Sequence, residues 1–210
     1  RRPRLPPHRP VAIGRLPARD GWLPEFESLE ILRRDGVPVS RCRRVSGAEQ
    51  VGSAARELGF PLVAKVDGPS HKQVVGGVRV NLANEREARS AVEELGGRAV
   101  LAGQQPPGFE VICGAVRDPD FGPVVAVGVG GKFAEKIPAA VIAAPFSATE
   151  AADTVRSAVG LRSLPAASHR PLAEIMVALQ HLMLEQERIA AVDVNPVIVT
   201  AAGPVAVDAL

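Results

Sequence analysis

From residue 22 onward, apolar positions follow two periods, about 3.6 for helices and 2 for strands. Phe26, Leu29 and Leu32 recur at helical spacing and Gly36 follows, which predicts a short amphipathic helix with a glycine C-terminus. Val37-Pro38-Val39 predicts the start of a strand, and Ser46-Gly47-Ala48-Glu49 has the form of a capping box opening a helix to Gly59. Leu62, Ala64 and Val66 alternate with Val63 and Lys65, as do Val78, Val80 and Leu82 with Arg79 and Asn81, so two strands flank a loop from Asp67 to Gly77. Asn84 and Glu87 cap a helix through Leu95 that ends at Gly96-Gly97, and Ala99 to Ala102 is a further strand. Strand, helix, strand, strand, helix, strand is a split β-α-β order, with helices on one face of an antiparallel sheet.

The second half predicts a β-meander. Phe109 to Arg117 and Pro123 to Val129 are joined by the turn Asp118-Pro119-Asp120-Phe121-Gly122, and Lys132 to Ile137 is expected to add a strand. A capping box at Ser147-Ala148-Thr149-Glu150 opens a helix to Gly160. A longer helix follows Pro171 with Leu172, Ile175, Met176, Leu179, Leu182 and Met183 inward. Val192 to Thr200 and Val205 to Ala209 form a hairpin around Ala201-Ala202.

The order of elements makes the fold class α+β, and 210 residues, 46% of them hydrophobic and 23% charged, suit one larger domain or two small lobes. No apolar run approaches the roughly 20 residues of a membrane helix, so no membrane is expected and a cytoplasmic location is. Arg1 to Pro17 carries five Arg and five Pro, and residues 1–21 are read as a basic, Pro-rich linker. A start at Arg1 suits a segment of a longer polypeptide. With no Tyr and one Trp, the chain lacks the aromatic platforms of nucleic-acid binding, and no nucleic acid partner is expected. Cys42 and Cys113 have no metal-ligand spacing and are expected as small buried hydrophobes.

Chemistry concentrates in a few places. Lys65 projects from the strand face opposite Leu62, Ala64 and Val66, where an ammonium suits phosphate, the alternative being an exposed strand lysine. Gly76 and Gly77 allow close backbone approach to an anion in a loop that also holds His71 and Lys72, and an imidazole can accept a phosphoryl group. A hairpin turning at Ala201-Ala202 sets Asn195 opposite Asp208, because 195 and 208 sum to the same value as 200 and 203. Directly opposed Cβ atoms lie about 4.5 to 5.5 Å apart, and an amide oxygen with a carboxylate at that spacing suits Mg²⁺. Asp193 points the same way; the alternative is a polar, solvated face. Glu110 and Glu135 are carboxylates in apolar strand text, each suited to a ribose hydroxyl, a Lys or a metal.

Six segments together resemble one family: Pro61-Leu62-Val63-Ala64-Lys65; Ser70-His71-Lys72 with Val75-Gly76-Gly77-Val78; Gly108-Phe109-Glu110-Val111; Arg117 to Pro123; Gly130-Gly131; and Asp193-Val194-Asn195-Pro196. They are similar to the ATP-grasp module, or β part, of the NDP-forming acyl-CoA synthetases, relatives of succinyl-CoA synthetase. The resemblance covers Trp22 to Leu210. It implies a small lobe at 22–101 and a large lobe at 102–210 with a nucleotide cleft between them, ATP/ADP and Mg²⁺ as cofactors, and CoA through a partner domain in cis or in trans. It implies an acid-CoA ligase reaction, acyl-CoA, ADP and phosphate to acid, CoA and ATP. Lys65 would contact phosphates, the Val100 to Gln104 hinge, with Ala102 and Gln104, would pass the adenine, Glu110 and Glu135 would hold the nucleotide, Asn195 and Asp208 would carry Mg²⁺, and His71 would relay phosphate from a phosphohistidine. Val74, the apolar run Ile137 to Ala143 and Ala191 stand where the family carries charges. The alternative is therefore a catalytically degraded module with a regulatory or structural role.

Overall fold

The computed structural model describes residues 21–67, 76–134 and 136–210. Among these, residues through Glu30, Ser40 to Pro106 and Leu210 form one compact unit, and Ile31 to Val39 with Pro107 to Ala209 form the other. Helix α1 (Glu25–Arg34) is divided between them. The boundary expected between 101 and 102 falls inside a continuous strand, β4 (Ala99–Gly103).

The first unit holds a four-stranded antiparallel sheet in the order β1-β4-β2-β3, with β1 at Cys42–Val45, β2 at Leu62–Val66 and β3 at Val78–Leu82. Strands β1 and β2 run parallel with antiparallel β4 between them, and β3 and β4 run parallel with β2 between them. The split β-α-β order therefore occurs twice. Helices α2 (Val51–Leu58) and α3 (Glu85–Glu94) make the two crossovers, and Val51, Ala54, Ala55, Ala88, Ala91 and Val92 close over Val45, Leu62, Ala64, Ala99 and Leu101. The Asn84 side chain accepts the Glu87 N–H at 3.0 Å, so that cap is as expected.

Two readings are corrected here, and the strand expected at Val78 to Leu82 forms with an irregularity. The strand expected at Val37-Pro38-Val39 is a single bridge from Val39 to Ala206 in the second unit, and the ladder forms at Cys42–Val45. The capping box at Ser46 does not close: a 3-10 turn at Ala48–Gln50 intervenes, Gln50 precedes α2 without a side-chain cap, and the Ser46 N–H donates to Gln50 Oε1 instead. Val78 and Val80 are exposed, because the pairing of β2 with β3 shifts register and Asn81 takes φ 58 within the edge strand.

The second unit carries a five-stranded antiparallel sheet, β7-β6-β5-β8-β9, from β5 (Phe109–Asp118), β6 (Gly122–Val129), β7 (Ala140–Ala143), β8 (Ala191–Thr200) and β9 (Gly203–Ala206). Helix α5 (Ala166–Glu185) packs on β5, β6 and β9, and α4 (Ala148–Ser157) packs on α5 and β7. Leu172, Ile175, Met176, Leu179, Leu182 and Met183 are all fully buried, as their spacing predicts. The Ser147–Glu150 capping box is complete. Gln180, buried in α5, exchanges two hydrogen bonds with the Phe146 backbone at 2.8 and 2.9 Å.

The expected strand at Lys132 to Ile137 is replaced by a 3-10 turn at Gly131–Phe133, and the strand lies later, at β7. Helix α5 begins at Ala166, after Pro165, and Pro171 lies inside it. Pro171 is the sixth residue of that helix, beyond the first turn, so the hydrogen bond its amide would have given the Ala167 carbonyl is lost there. No described helix is long and apolar enough to cross a membrane. Cys113 is buried, and burial pushes its thiol up to about 12. Folded protein is therefore expected to leave Cys113 unlabelled by a maleimide at pH 8, with labelling appearing on denaturation; rapid labelling of the native chain would contradict this packing.

Candidate functional site

In the large sheet, the α4–α5 side takes Val111, Cys113 and Ala115 of β5 and Val192, Val194, Val197 and Val199 of β8, all buried. The opposite face presents Glu110, Ile112, Gly114, Asp193, Asn195 and Asp208, half-buried or exposed. Val111 pairs with Val197 and Cys113 with Val194, so Asn195 and Pro196 together oppose Ile112. That is a β-bulge, and a bulge is where an interior strand tolerates proline and re-aims a side chain.

The hairpin register is the one the turn predicts. Thr200 faces Gly203, Val197 faces Ala206, and a bridge joins Val194 to Ala209. The Asn195 N–H donates to the Asp208 carbonyl at 3.2 Å, so these two residues are opposed on neighbouring strands. Asp193 lies across from Gly114, which has no side chain to cover it. No group of three or more His, Cys, Asp or Glu gathers among the described residues. One carboxylate with one amide oxygen fits Mg²⁺, which keeps several waters and takes phosphate oxygens, better than a cation needing a full protein cage.

Glu110 is exposed, and its carboxylate lies against the Gly130-Gly131 turn. The Gly130 N–H donates to the Glu110 carbonyl at 2.8 Å, and a Cβ on Gly131 (φ +64) would stand 2.5 Å from Glu110 Oε2. Both glycines of that motif thus make room for one glutamate. The Arg117 to Pro123 motif is structural. Arg117 donates to the carbonyls of Met183 at 2.6 Å, Gln186 at 3.3 Å and Ile189 at 3.3 Å around the end of α5. Asp118 Oδ1 accepts the Asp120 and Phe121 N–H groups at 2.9 Å each in the turn.

In the small sheet, Lys65 is buried, not an exposed strand lysine. Its Nζ lies 2.7 Å from Oε1 of Glu25, itself 1% exposed. Across the strands, Arg44, Val100 and Lys65 stand in one row on the face away from α2 and α3. Arg44 pairs with Asp67 at 2.7 Å and Glu27 at 3.5 Å, and its guanidinium lies 4.9 Å from the Phe26 ring centroid. Gly76 has φ +84 and its carbonyl accepts from Arg79 Nη1, while the Gly77 carbonyl accepts the Val66 N–H at 2.9 Å. His71 and Glu135 lie outside the described residues.

The expected hinge is largely committed within its own unit. Ala102 pairs with Cys42 on one side and Val63 on the other. The Gly103 N–H donates to Arg41 at 3.1 Å and the Gln104 N–H to Pro61 at 3.0 Å. The Gln104 side chain accepts the Asn81 N–H and donates to Asn81 Oδ1, both at 2.6 Å. Those groups hold the β3 bulge, so base recognition by backbone amides would have to use residues after Gln104. Glu25 and Asn81 were not among the sequence candidates; the only sequence signal for Glu25 is an acidic residue opening a helix.

A profile described as the ATP-grasp domain matches residues 15–210. The β subunit of the ADP-forming acetate–CoA ligase I of Pyrococcus furiosus is 32% identical over 218 residues, covering 94% of this chain and 94% of that subunit. The chain belongs to the ATP-grasp family of ADP-forming acid–CoA ligases. The ATP-grasp chain is also 33% identical over 199 residues to the ADP-forming acetate–CoA ligase II of Archaeoglobus fulgidus, covering 88% of its own length but 29% of that longer polypeptide. Among solved structures, it superposes with a TM-score of 0.77 and 33% identity on the dinucleotide-forming acetyl-coenzyme A synthetase 1 of Ca. Korarchaeum cryptofilum in complex with coenzyme A and Mg-AMPPCP. That match covers 88% of this chain and 89% of the other. The two-unit α+β architecture is that of the ATP-grasp fold.

Proposed function

We propose that this ATP-grasp chain is the nucleotide-binding β module of an ADP-forming acid–CoA ligase. With a CoA-binding domain, in the same polypeptide or another, it interconverts acyl-CoA, ADP and phosphate with acid, CoA and ATP. The observation that carries this reading is the match to a β subunit over 94% of each chain. The separation of residue types supports it. One unit offers a buried cation, Lys65, suited to phosphate oxygens. The other offers Glu110, Asn195 and Asp208 on the sheet face away from α4 and α5.

In this reading Lys65 orients and neutralises the nucleotide's phosphates, Glu110 accepts hydrogen bonds from it, and Asn195 with Asp208 supplies the oxygens for Mg²⁺. Bound Mg²⁺ would supply charge neutralisation at the phosphates. His71 is proposed as the imidazole that takes a phosphoryl group from a phosphohistidine of the CoA-binding part, one P–N bond breaking as another forms, and passes it to a terminal phosphate oxygen of ADP, that P–N bond breaking as a P–O bond forms. Catalysis of this kind is positioning plus electrostatics. A regulatory module is the second reading, favoured by β7, which is wholly apolar, and by Ala191, which puts no charge at the start of β8.

The test is to mix the chain with the CoA-binding subunit of an ADP-forming acetate–CoA ligase, acetyl-CoA, ADP, phosphate and Mg²⁺, and to measure ATP. ATP formation is expected. Nucleotide binding by calorimetry without ATP formation would favour the regulatory reading, and no binding at all by the folded chain would overturn the nucleotide-binding reading in favour of a degraded, structural module.

A further inference from the structure

We propose that Glu25 is a positioning residue that aims the Lys65 ammonium at nucleotide phosphate; this rests on the nucleotide-binding reading above. A lysine ammonium sits on a flexible four-carbon stem and presents three donors without a preferred direction. Lys65 is nevertheless held: its Nζ lies 2.7 Å from Glu25 Oε1, the pair spans forty residues of sequence, and both side chains are buried. One donor is thereby committed to a fixed acceptor, and the stem is confined before any phosphate arrives. Such prior confinement is what raises affinity for a charged ligand, because the ordering cost is not met at binding.

Glu25 is itself fixed by its surroundings. It opens α1, where the unpaired amides at a helix start favour a carboxylate. Two residues of the same turn are seated on the neighbouring cation of the same row, Phe26 beneath the Arg44 guanidinium at 4.9 Å and Glu27 at 3.5 Å from it. Arg44 is fixed in turn by Asp67, 2.7 Å away. The first turn of α1 is thus docked along the Arg44–Val100–Lys65 row, and Glu25 stands over Lys65 as part of that docking.

Stability does not account for the arrangement. Burying two opposite charges costs about as much as their attraction returns, and apolar replacements of similar volume are often at least as stable. A buried ion pair at the one lysine of β2, on the sheet face that α2 and α3 leave uncovered, is instead explained by a need to keep that ammonium in one place. With three donors, Lys65 can hold Glu25 and contact phosphate together.

The experiment is calorimetric titration of Mg-ADP into the whole chain and into the folded variants Glu25→Gln, Glu25→Asp, Lys65→Gln and the double variant Glu25→Gln/Lys65→Gln, with thermal melts alongside. Glu25→Gln is expected to weaken Mg-ADP about tenfold, the scale of one charge-assisted contact. Glu25→Asp, which keeps the charge but retracts it, is expected to lose less. The double variant is expected to bind no more weakly than Lys65→Gln alone, because Glu25 acts through Lys65. A role in stability alone would lower the melting temperature and leave affinity untouched, and that result would overturn the proposal. So would additive losses in the double variant. Should Glu25→Gln fail to fold, wild-type affinity in Glu25→Asp, whose carboxylate no longer reaches as far, would overturn it. If Lys65→Gln binds normally, the phosphate role of Lys65 itself falls; if Lys65→Gln loses binding while Glu25→Gln does not, only the positioning role falls.

Discussion

Replacing Asn195 with Ala and Asp208 with Asn together is expected to remove the Mg²⁺ dependence of nucleotide binding, at a loss on the order of a hundredfold in Mg-ADP affinity. The two residues are opposed on β8 and β9, with the Asn195 N–H on the Asp208 carbonyl at 3.2 Å, and the bulge at Asn195-Pro196 turns the chain at that point. A hard cation held by two protein oxygens and completed by water and phosphate has little to replace them with. Asn at 208 keeps the shape of the side chain and removes its charge, so the melting temperature is expected to stay near that of the wild type. Calorimetry of ADP with and without Mg²⁺ decides the matter: an Mg²⁺ effect as large in the double variant as in the wild type would place the cation elsewhere.

Substituting Gly108 with Val is expected to destabilise the second unit by about 2–3 kcal/mol, the scale of overpacking in a site that cannot relax. A Cβ at Gly108 would stand 2.5 Å from the Val199 carbonyl oxygen and 2.8 Å from Ile198 Cγ2. Val199 pairs with Phe109 on one side and Pro204 on the other, so its carbonyl is fixed from both flanks. Urea denaturation followed by circular dichroism reads the loss. Because Glu110 lies two residues on, weaker nucleotide binding is expected in the same variant at temperatures where it remains folded. An unchanged urea midpoint would mean that the Gly108 backbone has room the geometry denies it.

Most of the fold is legible in the chain because short-range signals and tertiary demands agree. The period-2 runs at Leu62–Val66 and Val192–Thr200 became strands, and the register of Asn195 against Asp208 followed from a two-residue turn. Where the readings failed, a local signal competed with a better partner further away. Cys42–Val45 carries two arginines between its buried ends, so its pattern is too short to announce a strand, and pairing with β4 makes it one. The Ser46 motif had the right letters, but Gln50 offered its side chain to the Ser46 amide and a 3-10 turn formed. The Ser147 motif, with nothing competing, closed as a box.

The candidate site divides in the same way. Alternation put Lys65 on the sheet face away from the helical core, yet no local pattern could report that a glutamate forty residues earlier would cover it. Gly130-Gly131 was visible as a motif, whereas its purpose, leaving space beside the Glu110 carboxylate, exists only once β5 and the turn meet. Gln104 lies in the segment expected to be a hinge, and its side chain closes on Asn81, a contact that the bulge in β3 creates.

The place of β8 bears on how the chain is made. Every strand of the four-stranded sheet is present once Gly103 has been synthesised, and its closures are between segments at most some tens of residues apart. In the five-stranded sheet, β5 must wait for β8, whose pairing joins Phe109 to Val199. Closing so long a loop carries an entropic cost that slows folding, and until then β5 presents an unpaired edge. During synthesis on the ribosome the first sheet is thus able to form early, while the apolar residues of β5 and β6 wait for the last strands to emerge.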